Sequence, residues 1–425
     1  MRRLLSIALA SWALTMPIKA QQFDDYFENS TLRLDYIFSG DANHQEIALD
    51  QLYLSPRWYG KRQRLAEVPV AGNGQVVVKS HKDGQIIYRN SFSTLFQEWL
   101  SYPEARSTRR SFENVFLIPM PKDTVDVTIN LMNNRREVMT SMTHQVVPTD
   151  ILIRKIGYEH VTPYKTVQQA ADTTRCIHIA FIAEGYQQQE MQTFLADVDT
   201  AVTALFRHEP FKSMRPRFNI IAVESPSTDS GTSEPRNGAW KQTALHSHFD
   251  TFYSDRYLTT LHLKDLHNWL AGTPYEHIIV LVNTSKYGGG GILNSYNLTS
   301  THHPFYKPVI VHEFGHSFAG LGDEYAYDFE QIPMYPHDVE PWEPNLTTLV
   351  NFKDKWENLI DKKTPVPTPF NKRHPDKVGI YEGGGYSLKG VYRPSYDCRM
   401  RTNSNPNFCP ACQQAINHLI NFYTE

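Results

Sequence analysis

The chain has 425 residues, 40% hydrophobic and 12% aromatic. That is ample apolar material for packed cores in two or three domains, and it excludes a chain disordered by composition. A formal net charge of −3 gives no global field toward nucleic acid or anionic lipid, and the pairs Arg109-Arg110 and Arg135-Arg136 are too short to make a binding patch.

Residues 1–20, MRRLLSIALASWALTMPIKA, place two arginines before a short apolar run and end on alanine. This is the layout of a cleaved secretory signal, so the mature chain is expected in the periplasm, outside the cell or on its surface. No later stretch is long and apolar enough to span a bilayer. From 21 to 156, short alternating or β-branched segments recur between turn signals: Thr31 to Phe38, Gln75 to Lys79, Gly84 to Tyr88, Asn114 to Pro119 and Val125 to Met132. They predict an antiparallel β-sandwich. With no cluster of His, Asp, Glu or Cys, it reads as a binding or spacing module. Phe96 to Leu100, including Trp99, is read as core rather than as an aromatic surface site.

Periodicity fades over 157–174, which is read as a linker to a second domain at 175–425. There, Cys176 to Ala183 is a continuous apolar run, Gln189 to Phe206 repeats apolar residues at helical spacing, and Phe218 to Val223 is apolar again. Strand, helix, strand in this order predicts a right-handed crossover in a mixed, mostly parallel sheet. A helix is expected over Asp255 to Leu270 and a strand over Ile278 to Val282. The glycine run in Tyr287 to Leu293 lacks the lysine and helix start of a phosphate-binding loop. Ile292 to Asn297 is therefore read as a flexible edge strand beside a cleft, where an extended peptide can add as a further strand.

The chemistry concentrates in Val309 to Tyr325, VIVHEFGHSFAGLGDEY. Four residues apart on a helix, His312 and His316 lie on one face and can hold one metal ion. A catalytic zinc takes three protein ligands and leaves a fourth position for water. Glu313, beside the first histidine, is placed to accept that water's proton. Gly320 and Gly322 break the helix, and a carboxylate arriving just after the break can complete the set. Asp323 is the favoured third ligand and Glu324 the second choice. The pattern departs from the usual metzincin arrangement, in which the glycine comes one residue earlier and the third ligand is histidine.

After Tyr325 the chain is rich in proline and aromatic residues from Pro333 to Pro375, too long for an ordinary connection and typical of an insertion that shapes a site. Tyr386, Tyr392 and Tyr396 are candidate oxyanion or substrate contacts. Met400, in YDCRMR, is the candidate methionine turn beneath the histidines. Cys398 is expected to form a disulfide with Cys409 or Cys412, clamping that turn to a last helix over Cys409 to Tyr423.

HEFGHSFAGLGDEY, YEGGGYSLKGVYRP and CRMR together resemble the secreted bacterial metallopeptidases named after IgA peptidase. The resemblance covers nearly the whole mature chain, because those proteins often carry a β-sandwich before the catalytic domain. It implies a multidomain α+β and α/β chain: a β-sandwich followed by a metzincin-like zinc peptidase domain with an active-site helix. It also implies a zinc endopeptidase with His312 and His316 as ligands to one Zn2+ and Glu313 as general base toward a zinc-activated water, acting on protein or peptide. It does not imply cleavage of immunoglobulin A. The alternative from another class is an exported protein- or glycan-binding module whose metal is structural, and a third reading keeps the hydrolysis but changes the bond to a small amide or glycopeptide.

Overall fold

The computed structural model describes residues 22–328 and 334–425. The expected signal at 1–20 and Pro333, the first residue of the proline-rich stretch, lie outside the described residues. A short helix, α1 (Phe23–Tyr26), precedes strands β1 (Phe27–Gly40), β2 (Gln45–Pro56), β3 (Gly74–Ser80), β4 (Ile86–Phe92), β5 (Arg110–Pro121), β6 (Val125–Met132), β7 (Val138–Val146) and β8 (Arg154–Lys155), with α2 (Leu95–Trp99) between β4 and β5. Two four-stranded sheets result, β5-β1-β2-β8 and β4-β3-β6-β7, antiparallel except where β8 meets β2.

Period-two patterning explains how they face each other. In β6, Val125, Val127, Ile129 and Leu131 are buried while the residues between them are half-exposed. Leu32, Leu34, Tyr36 and Phe38 of β1 supply the opposite face of the same core. Rings meet across the gap, Phe38 at 6.4 Å from Phe92 and Phe92 at 4.2 Å from Phe116, centroid to centroid. Thr94 caps α2 by accepting from the Gln97 amide at 3.1 Å, and Phe96 and Trp99 of that helix are fully buried. The aromatic segment is thus core.

The remaining elements are β9 (Tyr164–Gln168), β10 (Ile177–Glu184), α3 (Met191–Leu205), β11 (Phe218–Val223), α4 (Leu263–Trp269), β12 (His277–Val282), β13 (Gly289–Ile292), β14 (Tyr296–Ser300), α5 (Tyr306–Ala319), β15 (Tyr381–Gly384), β16 (Ser387–Arg393) and α6 (Pro410–Thr424). Six strands form one mixed sheet, β13-β14-β12-β10-β11-β9. Its inner pairings are parallel, and both edge strands, β9 and β13, are antiparallel to their neighbours. Successive residues of β10 point to opposite faces. Ile177, Ile179 and Phe181 pack with α3, α5 and α6, whereas Ala180 and Ile182 join the same core as the N-terminal sheets and α4. The N-terminal sheets and α4 therefore cover one face of the six-stranded sheet, and α3, α5 and α6 the other.

Three expectations are corrected here. The polar stretch at 157–174 contains β9, because its backbone groups pair along the open edge of β11. Asp255 to Leu270 is helical only over α4. Thr260 commits its hydroxyl to the backbone, accepting from the His262 amide at 3.0 Å and donating to the Leu245 carbonyl, and this competes with a helix there. Lastly, the edge strand is the glycine run itself, β13, which ends at Ile292, while Leu293 to Ser295 form the turn and Tyr296 and Asn297 begin the inner strand β14. A Cβ on Gly291 would lie 2.3 Å from the Glu313 carbonyl oxygen, so the run is glycine because α5 crosses it at backbone distance.

Candidate active site

Helix α5 carries the HEFGH segment and ends at Gly320, whose left-handed backbone (φ 61°) glycine adopts without strain. The Gly320 and Leu321 amides donate to the His316 and Gly315 carbonyls at 3.0 and 3.1 Å. The chain then turns back and brings Asp323 to the histidines. His312 Nε2 lies 3.0 Å from His316 Nε2, and Asp323 Oδ1 lies 3.1 and 3.2 Å from those two nitrogens. Glu324, the second choice for the third ligand, points away into a separate buried cluster.

What these atoms need can be read from their neighbours. His312 Nδ1 lies 3.0 Å from the Arg399 carbonyl and His316 Nδ1 2.5 Å from the Leu321 carbonyl. A carbonyl only accepts, so each Nδ1 carries the proton and donates, and each neutral ring turns the lone pair of its Nε2 inward. Two lone pairs and a carboxylate facing one another at this spacing repel unless a cation sits among them. Three donors at about 2.0–2.1 Å from one zinc ion, in tetrahedral geometry, stand about 3.3 Å apart, close to the separations observed. The residues fit zinc. In the metal-free protein a proton takes the cation's place. Burial pushes His316 down, but the Asp323 charge and hydrogen bond outweigh it and raise its pKa to about 9. Burial alone would raise Asp323, yet the His316 charge and the bonds from both histidines hold it well below the usual carboxylate range.

The remaining oxygen of Asp323 is also held. Tyr386 donates to Oδ2 at 2.7 Å, and its hydroxyl lies 2.9 Å from that of Tyr325. Tyr386 occupies the turn between β15 and β16, and the Gly385 amide donates to the Asp323 carbonyl at 2.7 Å, so this hairpin buttresses Asp323. Below the histidines, Met400 is fully buried, and its sulfur lies 2.7 Å from where a Cβ on Gly315 would be. Met400 thus packs under the helix, and the preceding Arg399 carbonyl lies against the ring of His312. Tyr392 and Tyr396 are not brought to this site. Tyr392 exchanges backbone bonds with Thr347, and Tyr396 stacks on Phe370 at 3.8 Å.

His312, His316, Asp323 and Glu313 line a cleft of about 450 Å³. Glu313 lies over β13, where a Cβ on Gly289 would meet its Oε1 at 2.9 Å. Burial raises its pKa, against the pull of His312 and His316. The opposite wall comes from the N-terminal half, with Asn73, Thr94, Gln97, Glu98 and Tyr102. That half was expected to hold no chemistry, yet Glu98 accepts from Tyr257 at 2.6 Å inside the cleft, and burial raises its pKa to about 7. Neither Glu98 nor the Arg399 carbonyl leaves a trace in sequence, since one sits on a five-residue helix and the other is backbone.

The raised pKa of Glu98 makes a signed prediction. Between about pH 4.5 and 7 the folded state holds a proton that the unfolded state releases, so the metal-free protein loses stability as pH rises through that window. Glu98→Gln keeps an acceptor for Tyr257 and removes the titration. The chelated variant should match wild type near pH 4 and exceed it by about 1–3 kcal/mol at pH 8, read by urea unfolding. Parallel pH dependence in the two proteins would show that Glu98 is ordinarily ionised.

The expected disulfide is not formed. All four cysteines carry free thiols, and Cys398 Sγ lies 3.9 Å from Cys412 Sγ, about twice the S–S bond length. No helix among the described residues is long and apolar enough to cross a membrane.

Comparison with known proteins gives the following. The family model described as IgA Peptidase M64 matches residues 166–375 and 371–420, and the one described as Peptidase M64 N-terminus matches 22–143. No curated protein matches the chain. Among solved structures it is similar to metalloproteinase-II from Bacteroides fragilis, with 13% identity over 58% of this chain and 83% of that one and a TM-score of 0.21. That likeness is too slight to carry structure or activity across.

Proposed function

Because the chain belongs to the IgA peptidase M64 family and is therefore a metallopeptidase, we propose that it is an exported zinc endopeptidase that hydrolyses peptide bonds of proteins with Glu313 as general base. The observation that carries the reading is the triangle of His312 Nε2, His316 Nε2 and Asp323 Oδ1, no side longer than 3.2 Å, with both Nδ1 atoms facing carbonyls. Bound there, zinc supplies a Lewis acid that polarises the scissile carbonyl and makes water nucleophilic near neutral pH.

The chain's own groups do the rest. Glu313 takes the proton of the attacking water and then gives it to the leaving amine. Strand β13, at the edge of the six-stranded sheet and lining the cleft, aligns an extended substrate backbone by strand addition. The N-terminal wall narrows the approach. Residues 21–156 are read as a β-sandwich domain that precedes a metzincin-like catalytic domain, whose sheet takes in β9 from the 157–174 stretch ahead of 175–425. Supporting this are the shared core of the two N-terminal sheets and the position of Met400 under the helix. Export rests on the residue pattern at 1–20.

The test is metal content by mass spectrometry together with hydrolysis of a denatured protein substrate. Chelation should abolish cleavage and zinc should restore it; cleavage that survives complete removal of metal would sink the proposal. Tyr386 has a more specific consequence. Through Asp323 it holds a ligand in place, so Tyr386→Phe should weaken zinc binding by about 10–100-fold in a competition assay, with little change in kcat once zinc saturates. A fall in kcat at full occupancy would instead make the hydroxyl a donor to the oxyanion.

A further inference from the structure

Behind Asp323 the chain builds a second convergence of ligands. Cys398, Cys409, Cys412 and Glu324 are buried, and one donor atom from each lies within 4.8 Å of all the others. They come from three separate elements: the segment after α5, the methionine turn, and the first turn of α6. We propose that these four side chains bind a second divalent ion of the zinc class, a structural centre distinct from the catalytic one.

Geometry separates this from a disulfide. Two thiolates on one tetrahedral zinc at about 2.3 Å stand about 3.8 Å apart, and Cys398 Sγ and Cys412 Sγ are 3.9 Å apart. The Cys409 amide donates to Cys398 Sγ at 3.2 Å, a bond that favours the thiolate form in which cysteine binds metal. One carboxylate oxygen of Glu324 is engaged by Cys412 at 3.1 Å and Asn345 at 3.0 Å. The other, Oε2, is buried with no hydrogen-bond partner, in a carboxyl group that is itself fully buried. An unpartnered carboxylate oxygen beside three thiols is the setting a cation satisfies. The charge is also provided for. Three thiolates and a carboxylate around a divalent ion leave a net negative centre, and two buried guanidinium groups act on it, Arg393 on Glu324 and Arg399 on Cys398.

Soft thiolate donors with one oxygen select zinc over magnesium or calcium. Binding releases the thiol protons to solvent, and no redox step is involved. The consequence for the neighbouring site follows from connectivity. Glu324 adjoins Asp323, its amide donates to the Met400 carbonyl at 2.8 Å, and Cys398 stands two residues before Met400. Such a centre ties the third catalytic ligand and the turn under the histidines to α6.

The proposal concerns a different ion from the one in the catalytic reading, and the two separate in one experiment. The full chain is produced in zinc-supplemented medium, and metal per chain is measured for wild type, His312→Ala/His316→Ala and Cys409→Ser. Wild type should hold two zinc ions and each variant one. Cobalt exchanged into the histidine variant should retain the thiolate-to-cobalt charge-transfer band, which Cys409→Ser should lose. Alkylation of denatured, chelated wild type without reductant should modify all four cysteines. One zinc in wild type, lost with the histidines and accompanied by two blocked thiols, would overturn the second centre in favour of a disulfide and leave the catalytic reading intact. Two zinc ions in both wild type and the histidine variant would instead undo the catalytic site. If Cys409→Ser does not fold, stoichiometry, the cobalt band and the thiol count of the other two proteins still decide.

Discussion

Glu313→Gln will lower kcat/KM for peptide hydrolysis by about 10²–10⁴-fold and leave the zinc content of the protein unchanged. Glutamine has the shape of glutamate and cannot take a proton, so under the proposed mechanism the change removes general-base chemistry alone. Glu313 is not one of the three groups that converge in the cluster of His312, His316 and Asp323, and it lies against β13, in space that a Cβ on Gly289 would take up. Equal activity of the variant and wild type at matched zinc occupancy would remove Glu313 from the reaction.

Met400→Ala should cost about 2–5 kcal/mol of stability and loosen zinc by about 10–100-fold, whereas Met400→Leu should cost under about 1.5 kcal/mol. Met400 has no exposed surface, and its sulfur fills the space a side chain at Gly315 would need. Truncation opens a cavity between the turn and α5 at the point where the Arg399 carbonyl fixes the ring of His312. Leucine nearly restores the volume. Urea unfolding of the three proteins, with zinc affinity by competition, checks both figures. An alanine variant as stable as the leucine one would mean that the helix does not rest on this turn.

How far the sequence carried can be judged residue by residue. The metal-facing face of α5 follows from a spacing of four, which is local geometry and independent of the rest of the fold. The buried strands β10, β11 and β12 follow from continuous apolar runs, since only a strand covered on both faces can afford them. The glycine run did not reveal itself as an edge strand. Glycine is poor strand material in isolation, and the reason for it is the backbone of α5 passing at contact distance. Three cysteines near the C-terminus suggested a pairing, because sequence shows proximity along the chain but not the separation of sulfur atoms.

Sequence by itself determined the chemistry on offer: two histidines and a glutamate one helical turn apart, an acidic pair after a glycine break, and a methionine within reach of a tight turn. Only the tertiary structure decided how that chemistry is divided. Asp323 and Glu324 are adjacent and chemically alike, yet one meets His312 and His316 and the other meets three thiols. The carbonyls of Arg399 and Leu321, which set the histidine tautomers, and Glu98, which arrives on the short helix α2 of the N-terminal half to form a wall of the cleft, depend on packing between elements far apart in the chain, and no local pattern encodes them.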